Sequence, residues 1–188
     1  MLPRLAPLAL LLTVLAPAAP ASATILGIAR AKSCFEAAVA KRATSDAVRT
    51  CTTALEEEGL AARDRAATLV NRGILHMQAG RIDAALADYD SAIQLEPQAA
   101  EAWVNKGIAL IKVRREAEAA AVISHGLELG PQNPAIAHYS RAFAYEALGK
   151  VREAYEDFGR AAALAPDWRE PSKQLRRFKT VRVKTAGV

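Results

Sequence analysis

Along most of the chain the apolar positions recur three and four residues apart, the spacing of one helix face, instead of alternating as a half-buried strand would. The pattern predicts helices in pairs, broken by turn residues, and it repeats. Gly73, Ala85, Tyr89, Ala92 and Pro97 return as Gly107, Ala119, Ile123, Gly126 and Pro131, an offset of 34 at every position. They return again as Ala142, Ala154, Phe158, Ala161 and Pro166, an offset of 35, which one extra residue between Pro131 and Pro134 explains. Small residues at the first two positions predict two helices in close approach. The large residue at the third is expected to fill the space towards the neighbouring unit. The proline closing each unit stops the second helix, because it has no N–H and clashes with the preceding turn. Gly80 and Gly149 stand where a helix C-terminus takes left-handed backbone, and Arg114 holds the matching place in the middle unit, so that turn must form without glycine. Asn133–Pro134 reads as an N-cap followed by proline at the first helical position.

These residues resemble the tetratricopeptide repeat, a helix-turn-helix unit of about 34 residues. The second copy fits best, with Trp103, Gly107, Leu110, Ala119, Ile123 and Pro131 at the family's signature positions. The resemblance covers residues 66–166 and implies an all-α fold, a right-handed solenoid of three helix hairpins. Upstream, Ala47, Cys51 and Ala54 reproduce the spacing of Ala85, Tyr89 and Ala92, so residues 24–65 are expected to hold a fourth, degenerate hairpin. Its turn falls midway between Cys34 and Cys51, which puts the two cysteines at similar heights on antiparallel helices. Downstream, residues 167–188 read as a cap helix to about Lys179, bearing Trp168, Leu175 and Phe178, followed by a tail.

The N-terminus changes the compartment. Met1 to Arg4 carries one charge, Leu5 to Ala16 is almost wholly apolar, and the stretch ends Ala21-Ser22-Ala23. That order predicts a signal peptide over residues 1–23, cut after Ala23. The unbroken apolar run between Pro7 and Pro17 is about half of what a membrane span requires. Export, periplasmic in the first place and secreted as the other case, provides oxidising conditions in which Cys34 and Cys51 are expected to pair.

Charge adds one feature. Lys and Arg number 25 against 20 Asp and Glu, giving +5, yet Pro171 to Val188 holds six basic residues and no acid. Thr24 to Glu170 is left at −2, so the basicity belongs to the tail. It reads as the solvated end of a cap helix or as a weak contact with an anionic surface. Nucleic acid is not an expected partner, since no recognition fold accompanies the charge.

Catalytic motifs are not found: there is no G-x-S-x-G elbow, no H-E-x-x-H helix and no phosphate-binding glycine loop. Two cysteines and three scattered histidines (His76, His125, His138) predict no metal, no cofactor is expected, and the chain is not read as an enzyme. The resemblance implies a groove lined by the first helix of each unit. In register, these positions are Val70, Asn71, Ile74 and Met77, then Val104, Asn105, Ile108, Ile111 and Lys112, then Tyr139, Ser140, Phe143 and Glu146. Asn71 and Asn105 match the asparagine of a family mode that clamps a C-terminal carboxylate, but Val70, Val104 and Tyr139 occupy places where its cations would stand. The expected groove is apolar, with two amides that can both donate to and accept from a peptide backbone. The reading is an exported interaction module or scaffold with a protein or peptide partner. The alternatives are a self-assembling envelope protein, or binding to an anionic surface through the basic tail.

Overall fold

The computed structural model describes residues 21–178, with side chains from Ala29 onward. Most of the signal-peptide segment lies outside the described residues, as do Lys179, Arg182 and Lys184 of the tail. The elements are α1 (Ala21–Val39), α2 (Ser45–Glu57), α3 (Ala62–Gln78), α4 (Ile82–Leu95), α5 (Ala100–Lys112), α6 (Glu116–Glu128), α7 (Pro134–Ala147), α8 (Val151–Leu164) and α9 (Arg169–Leu175), with no strand among the described residues. Consecutive helices pack as hairpins, and α1, α3, α5 and α7 also touch one another in that order, so these four form the inner layer of a solenoid. No described helix is long and apolar enough to cross a membrane.

One turn closes all four hairpins. At the end of each first helix, an N–H reaches back five residues: Arg42 to Ala37 O, Arg81 to His76 O, Arg115 to Leu110 O and Lys150 to Tyr145 O, at 2.9–3.0 Å. This is the Schellman arrangement, and it requires left-handed backbone at the preceding residue. Gly80 and Gly149 supply it at φ 75° and 73°, while Arg114 adopts φ 63° and Lys41 φ 54° without the help of glycine. Pro97, Pro131 and Pro166 follow the ends of α4, α6 and α8 by two or three residues, as their helix-stopping role requires. The linker before α7 has five residues against four before α5, which accounts for the longer second repeat. Asn133 takes the N-cap position of α7 but makes no side-chain cap, in contrast to Thr44, whose Oγ1 accepts from Ala47 N at 3.1 Å.

The large residue of each unit does more than reach the neighbouring unit: it first covers the small residue of its own. A methyl group on Gly73 would lie 2.5 Å from Tyr89 Cε1, and one on Gly107 would overlap Ile123 Cγ1. Ala142 fills the same role beneath Phe158. Ile123 also meets Val104 and, across the unit boundary, Ala137.

At the N-terminus, Cys34 and Cys51 are joined in a disulfide across α1 and α2, with Cα atoms 4.9 Å apart. Both are fully buried, in a small core with Ala37, Ala38 and Leu75. At the other end the cap helix stops short of the expected Lys179, running from Arg169 to Leu175 with Trp168 at its N-cap. Trp168 lies on Tyr139, and Phe178 on Phe158 and Tyr155, so the cap covers the aromatic core of the last hairpin.

Candidate functional site

Among the described residues, clefts open on the inner layer at two places. One, of about 680 Å³, lies between α5 and α7 and is closed at one side by Arg177, just past the end of α9. Its floor is Ile108, Ile111, Tyr139 and Phe143, and Lys112, Arg114, Glu116, Glu146 and Arg177 form its charged rim. The second, of about 570 Å³, is bounded by Phe35 of α1, by Ala67, Val70 and Asn71 of α3, and by the linkers before α5 and α7. Tyr139 and Phe143 meet edge to face at 5.0 Å and both back onto Phe158, so the aromatic wall of the first cleft is held from behind.

The groove positions expected from register therefore divide. Ile108, Ile111, Lys112, Tyr139, Ser140, Phe143 and Glu146 come together in the first cleft, and Val70 and Asn71 in the second. Ile74 and Met77 are half-buried and pack against the core of the first hairpin, lining neither cleft. Val70 and Val104 are only 7% and 5% exposed, so they do not form pockets for a ligand's side chains. Val104 is drawn inward by the missing side chain of Gly126, whose Cβ would stand 2.9 Å from Val104 Cγ2. The two amides also differ. Asn105 Nδ2 donates to Glu101 O at 2.8 Å within its own helix, whereas Asn71 has no side-chain hydrogen bond among the described residues.

Family models for the tetratricopeptide repeat match residues 70–134 and 135–168, which together cover more than half of the chain. The chain belongs to the tetratricopeptide repeat family. Similar solved structures include the first repeat domain of Spaghetti (RPAP3) bound to an HSP90 peptide, 24% identical over 61% of this chain and 93% of that one, TM-score 0.58. YrrB, described as a repeat protein with an unusual peptide-binding site, is 24% identical over 71% of this chain and 63% of its own, TM-score 0.59. A double mutant of MamA RS-1 is 21% identical over 84% and 83%, TM-score 0.64. At these identities the likeness is one of fold. No curated protein matches the chain significantly.

A tetratricopeptide array needs its units held in register, and here a ladder of half-buried cations bridges them. Arg72, Lys106 and Arg141 hold one position of the repeat, and each reaches back to the second helix of the preceding unit: Arg72 Nη1 donates to Thr52 Oγ1 at 3.0 Å, Lys106 Nζ lies 2.7 Å from Asp90, and Arg141 Nη1 donates to Ser124 Oγ at 2.8 Å. Within their own units, Arg72 and Arg141 form two-pronged pairs with buried Asp88 and Asp157. The middle unit has Val122 at that place and Asp90 behind it, so every cation keeps one carboxylate. The offsets of 34 and 35 that relate the small residues also relate Arg72, Lys106 and Arg141, which is the signal in the sequence for this ladder.

His138 Nδ1 sits 2.9 Å from Asp157 Oδ1, and Ser124 shares with His138 and Arg141 a third cleft of about 550 Å³. The trio does not form a nucleophile, because Ser124 Oγ donates to Ala120 O and accepts from Arg141. Burial works to raise the Asp157 carboxyl, but hydrogen bonds from His138 and Arg141, with their charges, outweigh it and hold the group below its ordinary value. Burial also pushes His76, beside Asp88, below its ordinary value.

Of the basic C-terminal residues described, Lys173 pairs with Glu170 and Arg177 with Glu146, while Arg176 is exposed. Two of these three cations are thus neutralised by acids outside the basic stretch.

Proposed function

We propose that this protein is an exported interaction module that binds an extended segment of a partner protein along its inner layer, with the cleft between α5 and α7 as the main seat. The observation that carries this reading is the preformed apolar floor of Ile108, Ile111, Tyr139 and Phe143, which opens to solvent inside a charged rim. Cavities of this size with a few polar groups at the edge are the usual form of a binding site. Peptide binding by the first domain of Spaghetti and by YrrB, both of the same fold, supports the reading. Asn71 offers the free amide for a peptide backbone, and Asn105 contributes less because its donor is already used. Export rests on the Ala21-Ser22-Ala23 site, and the Cys34–Cys51 bond is in keeping with an oxidising compartment. A cut after Ala23 would remove three residues of α1 and leave Arg30, which pairs with Glu57, in place.

Intact-mass measurement of the exported protein should give a chain beginning at Thr24, and a mass retaining Met1 removes the export reading. For a captured partner segment, Asn71→Ala should weaken binding by about two- to tenfold, the net worth of one hydrogen bond. Phe143→Ala should weaken it more. If deletion of residues 179–188 abolishes binding while both substitutions leave it unchanged, the basic tail is the binding element and the groove reading fails.

A second reading has one observation in its favour. Leu148 at the end of α7, with Val151 and Tyr155 on α8, leaves exposed apolar surface of the kind an end-to-end contact between copies would use. Light scattering that shows a monomer at micromolar concentration removes it.

A further inference from the structure

The rim of the cleft between α5 and α7 is not electrically balanced. Arg114 Nε lies 2.9 Å from Glu116, and Arg177 Nη2 lies 2.7 Å from Glu146. Lys112, on the same rim, is exposed and has no carboxylate partner among the described residues. Three cations therefore face two acids, and the unmatched one follows directly in sequence on Ile111 of the floor. The second cleft differs, since Arg63 is there accompanied by Glu96 and Glu101.

We propose that this cleft selects segments in which a bulky apolar anchor, aromatic or branched aliphatic, has an Asp or Glu within two residues of it, the acid being read by Lys112. The inference rests on the groove reading above and names the chemistry of its occupant. An anchor over Ile111 and Phe143 places its neighbours at the rim, because successive residues of an extended chain lie about 3.3 Å apart. The aromatic wall is fixed by the Tyr139–Phe143 and Phe143–Phe158 contacts, so little ordering is left for the ligand to impose. Lys112 reads the acid from solvent, where an ion pair changes affinity by about 1.5- to fivefold. The preference is therefore a bias in sequence, superimposed on an affinity that comes from the anchor. It fades as salt is raised from 0.1 M to 1 M and the screening length drops from about 10 to 3 Å.

The test is selection of a random twelve-residue peptide library, displayed on phage, against the full chain and its Lys112→Glu and Phe143→Ala variants. Wild type should enrich peptides with an apolar anchor and a nearby Asp or Glu. Lys112→Glu, an exposed change that leaves the core alone, should keep the anchor and replace the acid by Lys or Arg. Phe143→Ala should lose the enrichment, and a circular-dichroism melt on that variant shows that the fold persists. A synthetic consensus peptide should lose its preference for acid over amide at 1 M salt. Enrichment of the anchor without an acid, or an acid bias that survives Lys112→Glu, overturns this inference and leaves the groove reading standing. No enrichment at all, or enrichment indifferent to Phe143→Ala, overturns both. If the wild type sediments as an oligomer that Phe143→Ala converts to monomer, the cleft belongs to a second copy of the chain, and the proposal falls.

Discussion

Arg114 carries the clearest local conflict between residue type and backbone. It holds φ 63° where its two sister turns place Gly80 and Gly149 at φ 75° and 73°. Left-handed backbone costs an L-residue about 1–2 kcal/mol, while glycine there returns part of the gain through its freer unfolded chain. Arg114→Gly should therefore stabilise the protein by about 0.5–1 kcal/mol, read as a rise in melting temperature, and a lower melting temperature would show that the pair with Glu116 outweighs the strain. This conflict is legible in the sequence, because the repeat register places an arginine on a glycine position. Val104 was not legible in the same way. It stands at a groove position by register, yet it packs inward with Ile123 and Ala137, in the space that Gly126 of the partner helix α6 leaves open.

At the scale of elements, the hairpins could be read because each depends on neighbours close in sequence: a turn, a small residue, a proline. The ladder was missed for a different reason. Asp88 and Asp157 adjoin Tyr89 and Phe158 on their helices, and a carboxylate reads as surface until its partner, 16 residues back, is known. The pairs make a demanding prediction. Asp157 is 1% exposed, so Asp157→Val alone strands the Arg141 charge and should cost about 3–5 kcal/mol. Adding Arg141→Lys and Ser124→Asp transplants the middle unit's arrangement of Lys106, Asp90 and Val122 and should recover most of that loss in chemical denaturation. A triple variant no better than the single one would mean that the ladder is not modular. The acid limb follows from the same pair. The folded Asp157 group lies below its ordinary value of 3.8, so its contribution is present above that pH and is lost as pH falls through the lowered value. His76, lowered from 6.5, acts in the same direction, since protonation favours the unfolded chain. Stability should decline on acidification, and Asp157→Asn should flatten the lowest part of that decline.

At the scale of the whole molecule, each hairpin touches only its neighbours, so the array need not melt as one body. The clefts live at this scale too. Arg177 of the cap joins a rim begun at Lys112, and no spacing rule connects positions so far apart in the chain. The core of the N-terminal hairpin is built from small side chains: of its five buried members two are alanines, Ala37 and Ala38, two are the bridged Cys34 and Cys51, and Leu75 comes from α3. Closing a loop with a sequence separation of 17 stabilises by about 3 kcal/mol in the chain-entropy model. Cys34→Ala with Cys51→Ala should therefore speed amide exchange in α1 and α2 by roughly a hundredfold, while α5 to α8 keep their protection. Uniform acceleration along the chain would show a single cooperative body instead. In the native protein both sulfurs are fully buried, so a thiol reductant should act only as fast as the hairpin opens. The consequence reaches the inner layer, because Phe35, next to Cys34, is a wall of the cleft beside Asn71. A loosened hairpin takes that wall away while the floor at Ile111 and Phe143 stays, so the double cysteine variant should weaken contacts at the Asn71 end of a bound segment and spare those at the Lys112 end.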